Sequence, residues 1–119
     1  MGNRLTSSLS VVVLLAASVA VSADDYADAR AELVAAYQAQ DYPAMVAAAR
    51  RALDARPTHP GAHFNLALAH ALNDEPGFAH NSLFTLIMFG FDFGVEEMDE
   101  FAALRESPGW PGFQFHVDN

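Results

Sequence analysis

Four stretches of this chain are built almost entirely from strong helix formers. They run from about Tyr26 to Gln40, Pro43 to Ala55, Pro60 to Asn73 and Pro76 to Phe89. Alanine, leucine, arginine and glutamate dominate them, and each favours helix over any other regular state. Three of the four open on proline, which fits the first helical turn because its missing N–H would go unpaired there anyway. The linkers are only a few residues long, so consecutive helices must lie side by side and antiparallel. No stretch alternates apolar and polar residues between hairpin turns. The expected fold class is all-α.

The helices also repeat. Leu33 and Tyr37 recur 33 positions later as Leu66 and His70, and "QDYP" (Gln40 to Pro43) recurs as "NDEP" (Asn73 to Pro76). Past the prolines the offset becomes 34, with Ala49, Ala52 and Leu53 answered by Leu83, Leu86 and Ile87. One residue is therefore gained or lost near the inter-helix turn. A helix-turn-helix unit at this period is the mark of a helical solenoid.

"AELVAAYQAQDYPAMVAAARRALDARPTHP" and "GAHFNLALAHALNDEPGFAHNSLFTLIMFG" resemble two consecutive tetratricopeptide (TPR) repeats, at about residues 26–57 and 60–90. Leu33 and Leu66 stand at the repeat's first-helix leucine, and Tyr37 and His70 at its first-helix aromatic. Tyr42 matches the turn aromatic, Ala52 the second-helix alanine and Pro57 the closing proline. Val34 and Ala67 replace the small glycine after the leucine, and the second repeat closes on Gly90 instead of proline. The resemblance implies a TPR-like solenoid of two repeats.

Downstream, "GFDFGVEEMDEFAALRESPGW" is similar to the tail that follows the last repeat in many bacterial TPR proteins. A capping helix at about 95–107 is expected, with Met98, Phe101, Ala102 and Arg105 on one face and Leu104 beside it. Packing logic asks for the same thing. Two repeats cannot bury their own end faces, and the fourth helix is apolar on nearly every side. Glu96, Glu97, Asp99 and Glu100 would sit at the start of the cap, where the helix dipole favours anions. In some exported bacterial proteins a similar module precedes a gluconolactonase-like β-propeller; residues 1–119 include no such domain, and none is expected of this chain.

The first residues read differently. Arg4 is followed by an apolar run from Leu9 to Val21 and then by Val21-Ser22-Ala23, small residues where a signal peptidase reads. That layout is a secretory signal peptide, residues 1–23, cleaved after Ala23. The run is short of the ~20 residues a spanning helix needs, so no membrane insertion is expected after cleavage. The mature domain, 24–119, would be periplasmic or secreted. It has no cysteine for staples, although export would allow them. A net charge of -9 with no lysine repels phosphate backbones and anionic lipid, which argues against nucleic acid as a partner.

"THPGAHFNLALAHALNDEP" holds His59, His63 and His70. His63 and His70 share one helical face with Leu66 and Ala67, but two turns, ~10 Å, separate them. Zinc on a helix asks for i, i+4 spacing and further ligands. Packing is the expected role, with no metal, no cofactor and no catalytic residue. The acidic run after Asp92 lacks a calcium loop's alternating oxygens, and neither Ser82 nor Ser107 sits in a nucleophile elbow. Binding remains. The TPR resemblance places the first helix of each repeat on the concave face, which makes Gln38, Phe64, Asn65, Leu68 and Leu72 the candidate groove, with Ala31 and Ala35 beside them. An apolar peptide or protein segment laid along Phe64, Leu68 and Leu72 is the expected partner. The oligomeric state is left open. Two other readings stay open beside this one: an accessory module of a propeller-type hydrolase system, and a small metal-binding protein.

Overall fold

The structure, a computed structural model, describes residues 25–118; the expected signal segment lies outside them. Four helices come first: α1 (25–38), α2 (Tyr42–Ala55), α3 (Pro60–Leu72) and α4 (Pro76–Met88). Two single 3-10 turns follow, Val95–Glu97 and Asp99–Phe101, then the short α5 (Ala102–Arg105) and α6 (Trp110–Asp118). Among the described residues there is no strand. The fold is all-α.

Local chemistry sets the helix ends. Asp41 caps α2 by accepting the Ala44 N–H at 3.2 Å, and Pro43 occupies the first turn. His59 caps α3 in an unusual way, its Nδ1 accepting the Gly61 N–H at 2.9 Å. That imidazole lies so close that a Cβ on residue 61 would stand 2.8 Å from His59 Cε1, so a larger residue there would push the ring off its cap. The C-terminal ends of α1, α3 and α4 close by one device. The N–H of Asp41, Glu75 and Phe91 bonds back to the carbonyl of Ala36, His70 and Leu86, each at 2.9 Å. The residue just before each donor (Gln40, Asp74 and Gly90) has φ of 56°, 56° and 83°. This is the Schellman ending with a left-handed residue after the helix.

The helices pack in contacting pairs. Leu33 and Ala36 of α1 meet Met45, Ala48 and Ala49 of α2, and Leu66 and Ala69 of α3 complete that cluster. A second cluster joins Ala67 of α3 and Ala79, Leu83 and Leu86 of α4 to Val95, Phe101, Leu104 and Phe113. Helix α3 stands in the middle, against α2 on one side and α4 on the other. This arrangement is that of a helical repeat.

The repeat offset is refined by the backbone. Met45, Ala49 and Ala52 are buried in α2, as are Ala79, Leu83 and Leu86 in α4, so the second helices do match at 34. The turn hydrogen bonds also match at 34, pairing Ala36 with His70 and Tyr37 with Ala71. The extra residue therefore enters within the first helix, before the turn. This corrects the pairing of Tyr37 with His70: Tyr37 is 41% exposed, while His70 is 2% exposed.

The cap also departs from expectation. Residues 95–105 do pack over α3 and α4, with Phe101 and Leu104 buried. They do so as two 3-10 turns and one α-turn instead of one continuous helix. The 3-10 path advances three residues per turn rather than 3.6, so Ala102 points outward and leaves the face shared by Met98 and Phe101. Arg105 holds the kink, donating to the carbonyls of Val95 at 3.2 Å and Met98 at 2.8 Å. Helix α6 then closes against α4.

Candidate functional site

The candidate groove residues divide into two groups. On α1, Ala31, Val34, Ala35 and Gln38 are exposed at i, i+3, i+4 and i+7, which makes one continuous open stripe. On α3 the face is largely taken. Phe64 is half-buried, its ring stacked on Phe93 with centroids 4.8 Å apart and tilted against Phe101 at 5.9 Å. Leu68 packs against both apolar clusters and Leu72 against the α1–α2 cluster, while Asn65 is half-buried. Gln38 lies open; Phe64 lies under the chain's own 91–94 segment.

That segment explains the arrangement. It runs between two left-handed glycines, Gly90 and Gly94, with φ of 83° and 69°. Asp92 Oδ1 accepts the Gly94 N–H at 2.8 Å and fixes the bend. Phe91 and Phe93 are carried on it with centroids 6.5 Å apart, both more than two-fifths exposed. Phe89 is 62% exposed and meets the edge of His63 at 6.2 Å. Large apolar rings are thus displayed at the α3–α4 end of the molecule.

Each histidine has its own work. His59 caps α3 and stacks on Tyr26 at 5.5 Å, while Arg56 covers the same Tyr26 ring at 4.4 Å. His63 is half-exposed, not core, and its Nε2–H donates to the Pro57 carbonyl at 2.7 Å. His70 is buried and stacks on Phe78 at 5.1 Å. Its Nδ1 faces Glu75 Oε1 at 3.2 Å and its Nε2 faces the Arg50 guanidinium at 3.5 Å. A carboxylate accepts and a guanidinium donates, so the proton belongs on Nδ1. The Asn73 amide and His70 both hydrogen-bond the Glu75 carboxylate, in that order of importance, and hold its pKa below the ordinary 4.5. Among the described residues no three His, Asp or Glu side chains converge as a metal-ligand set.

His80 is the residue that sequence reading passed over. Its Nε2 lies 2.9 Å from Ser107 Oγ, and the Ser107 hydroxyl donates in turn to the Leu104 carbonyl at 2.7 Å. Nε2 therefore carries the proton and Nδ1 is a bare lone pair, buried with no partner. Trp110 and Phe113 flank the ring at 6.2 and 5.8 Å. Desolvation pushes its pKa below the ordinary 6.5. Because the serine proton is committed to a backbone carbonyl, this pair is a strut between α4 and the 102–110 region and not an activated nucleophile. The signal for α6 was present in the chain, in the i, i+3, i+7 spacing of Trp110, Phe113 and Val117.

No helix among the described residues is long and apolar enough to cross a membrane. No protein-family model, curated protein or solved structure matches the chain.

Proposed function

We propose that this chain is an exported, non-enzymatic TPR-type module that binds a protein or peptide partner through its apolar surface. The observation that carries the reading is the repeated helix pair. Both first helices end in the same left-handed turn, and both second helices bury the same three positions 34 residues apart. A stack of such pairs leaves one helix of each pair facing outward, and recurrent helical modules use that face to hold extended segments. The open stripe Ala31, Val34, Ala35 and Gln38 is the accessible part of it, and on α3 only the uncovered sides of the half-buried Leu68 and Leu72 extend it.

The rings of Phe89, Phe91 and Phe93 add a second apolar edge. Exposed aromatics of this size are enriched at binding surfaces. With a net charge of -9 and no lysine, the partner is a neutral or basic polypeptide rather than an acidic one.

A photo-crosslinking residue placed at Gln38, at Leu68 or at the exposed Ala47 of α2 tests this in the exported protein, whose N-terminus should read Asp24-Asp25. The expected result is one crosslinked species from Gln38 and Leu68 and none from Ala47. Equal labelling at all three, or none at any, would overturn the proposal.

A further inference from the structure

A separate cavity of about 310 Å³ opens between α4, the 90–95 loop and α6. Leu86, Ile87, Phe113 and Val117 line it together with Phe91 and Asp92, of which Leu86 and Phe113 are buried and Phe91 and Asp92 exposed. Its volume reaches the lower end of the range that holds small molecules, about 300–1,000 Å³. The lining is mainly apolar, and Asp92 is the only charged group among its described residues.

The electrostatics choose among apolar ligands. Among the described residues that line the cavity none is basic, and the guanidinium nearest in the chain, Arg105, is engaged by the Val95 and Met98 carbonyls. A ligand carboxylate or phosphate would meet Asp92 with nothing to offset it. An ammonium group would meet a carboxylate whose orientation is already fixed, since Asp92 Oδ1 is held by the Gly94 N–H at 2.8 Å. We infer that this cavity is a binding site for a small apolar amine, with the hydrocarbon or aromatic body against Leu86, Ile87, Phe113 and Val117 and the ammonium on Asp92. The site lies apart from the α1 stripe but shares Phe91 and Phe93 with the second apolar edge, and a failed crosslink at Gln38 would leave it standing.

Three probes of equal shape test the inference by calorimetry and chemical-shift titration: 2-phenylethylamine, 2-phenylethanol and phenylacetate. The amine should bind with a Kd on the order of 0.1–1 mM, as befits a ligand of so few atoms. Phenylethanol should be weaker by roughly fivefold, the measure of one exposed charge pair, and phenylacetate weaker still. Asp92→Asn keeps an oxygen for the Gly94 N–H, and should bring amine and alcohol to equal affinity. Val117→Trp fills the cavity from a half-buried position and should abolish binding of all three. Failure of every probe, an amine preference that survives Asp92→Asn, or binding unaffected by Val117→Trp would each overturn the assignment.

Discussion

The two helix pairs share a backbone plan and differ in what they bury. Between α1 and α2 the buried positions are Ala29, Leu33, Ala36, Met45, Ala48, Ala49 and Ala52, so only two large side chains are enclosed. Around α4 they are Ala79, Leu83, Leu86, Val95, Phe101, Leu104 and Phe113, six of the seven larger than alanine. Full burial of a Leu, Met or Phe stabilises by about 1.5–3 kcal/mol, against roughly 0.8 for one methyl group. Alanine lets backbones approach closely but contributes little per residue. The first pair is therefore held at its margins as well, by the exposed Arg51–Glu32 ion pair and by Tyr26, which is clasped between His59 and Arg56. One repeat architecture can be kept while more of its large buried side chains gather at one end. The weakly held end is also the one that carries the open α1 stripe, and local opening concentrates where apolar contacts are few.

The sharpest way to break this comparison is to remove a large side chain from each half. Phe101 is fully buried and touches Phe64, so Phe101→Ala should cost about 3–5 kcal/mol of unfolding free energy. Leu33→Ala, in the alanine-lined half, should cost about 2 kcal/mol, the low end for such a deletion, because its surroundings can close on the gap. Denaturant unfolding of both variants gives the ordering directly. If Leu33→Ala proved the more damaging, cohesion would lie in the first pair and not in the cap.

A finer contrast uses the shared helix endings. Gly90, Gln40 and Asp74 adopt left-handed φ at the same place in three turns, but only Gly90 does so without a Cβ. Open space surrounds Gly90, so Gly90→Ala tests conformation alone and should destabilise by about 1–2 kcal/mol. Gln40→Gly should move the other way, raising stability by up to ~1 kcal/mol as the side chain's strain is released. Thermal unfolding of the pair checks both signs at once. Equal and same-signed shifts would mean that the two endings are not equivalent.

The helices and their order followed from propensity, proline placement and the 33-to-34 period, because each is a local or periodic property; the burial of Phe101 and Leu104 followed from the resemblance of the tail and from the need to cover the apolar face of α4. Two features did not follow. The placement of Phe93 on Phe64 depends on a loop whose path is set by two left-handed glycines, and "GFDFG" shows only that a bend is permitted there. The outward turn of Tyr37 depends on where within α1 the extra residue is absorbed, and that is decided by the Schellman hydrogen bond from Asp41 to Ala36. Gln38 was readable as an open polar position at the end of a first helix. Phe64, Leu68 and Leu72 were readable as apolar, but not as already engaged by neighbours from elsewhere in the chain.

The smallest expected effect is a pH dependence that also separates the two halves. His80 belongs to the α4 half, faces Ser107, Trp110 and Phe113 with no charged neighbour among them, and has its pKa lowered by desolvation from 6.5. The folded chain then binds the proton less readily than the unfolded one, so stability rises with pH through this range. On acidification the loss begins below about 6.5 and levels off once the folded state is protonated too. Glu75 acts in a lower window. Its carboxylate is favoured by Asn73 and His70, so its contribution is intact above 4.5 and disappears as pH falls through its lowered folded value. Stability measured by denaturant at intervals from pH 7.5 to 3.5 should therefore decline in two stages. His80→Phe keeps an aromatic ring beside Trp110 and Phe113, and should make the upper stage shallower while leaving the lower one. Glu75→Gln should do the reverse. An upper stage unchanged by His80→Phe would place that proton uptake on another residue, and the α4 half would lose its distinct acid response.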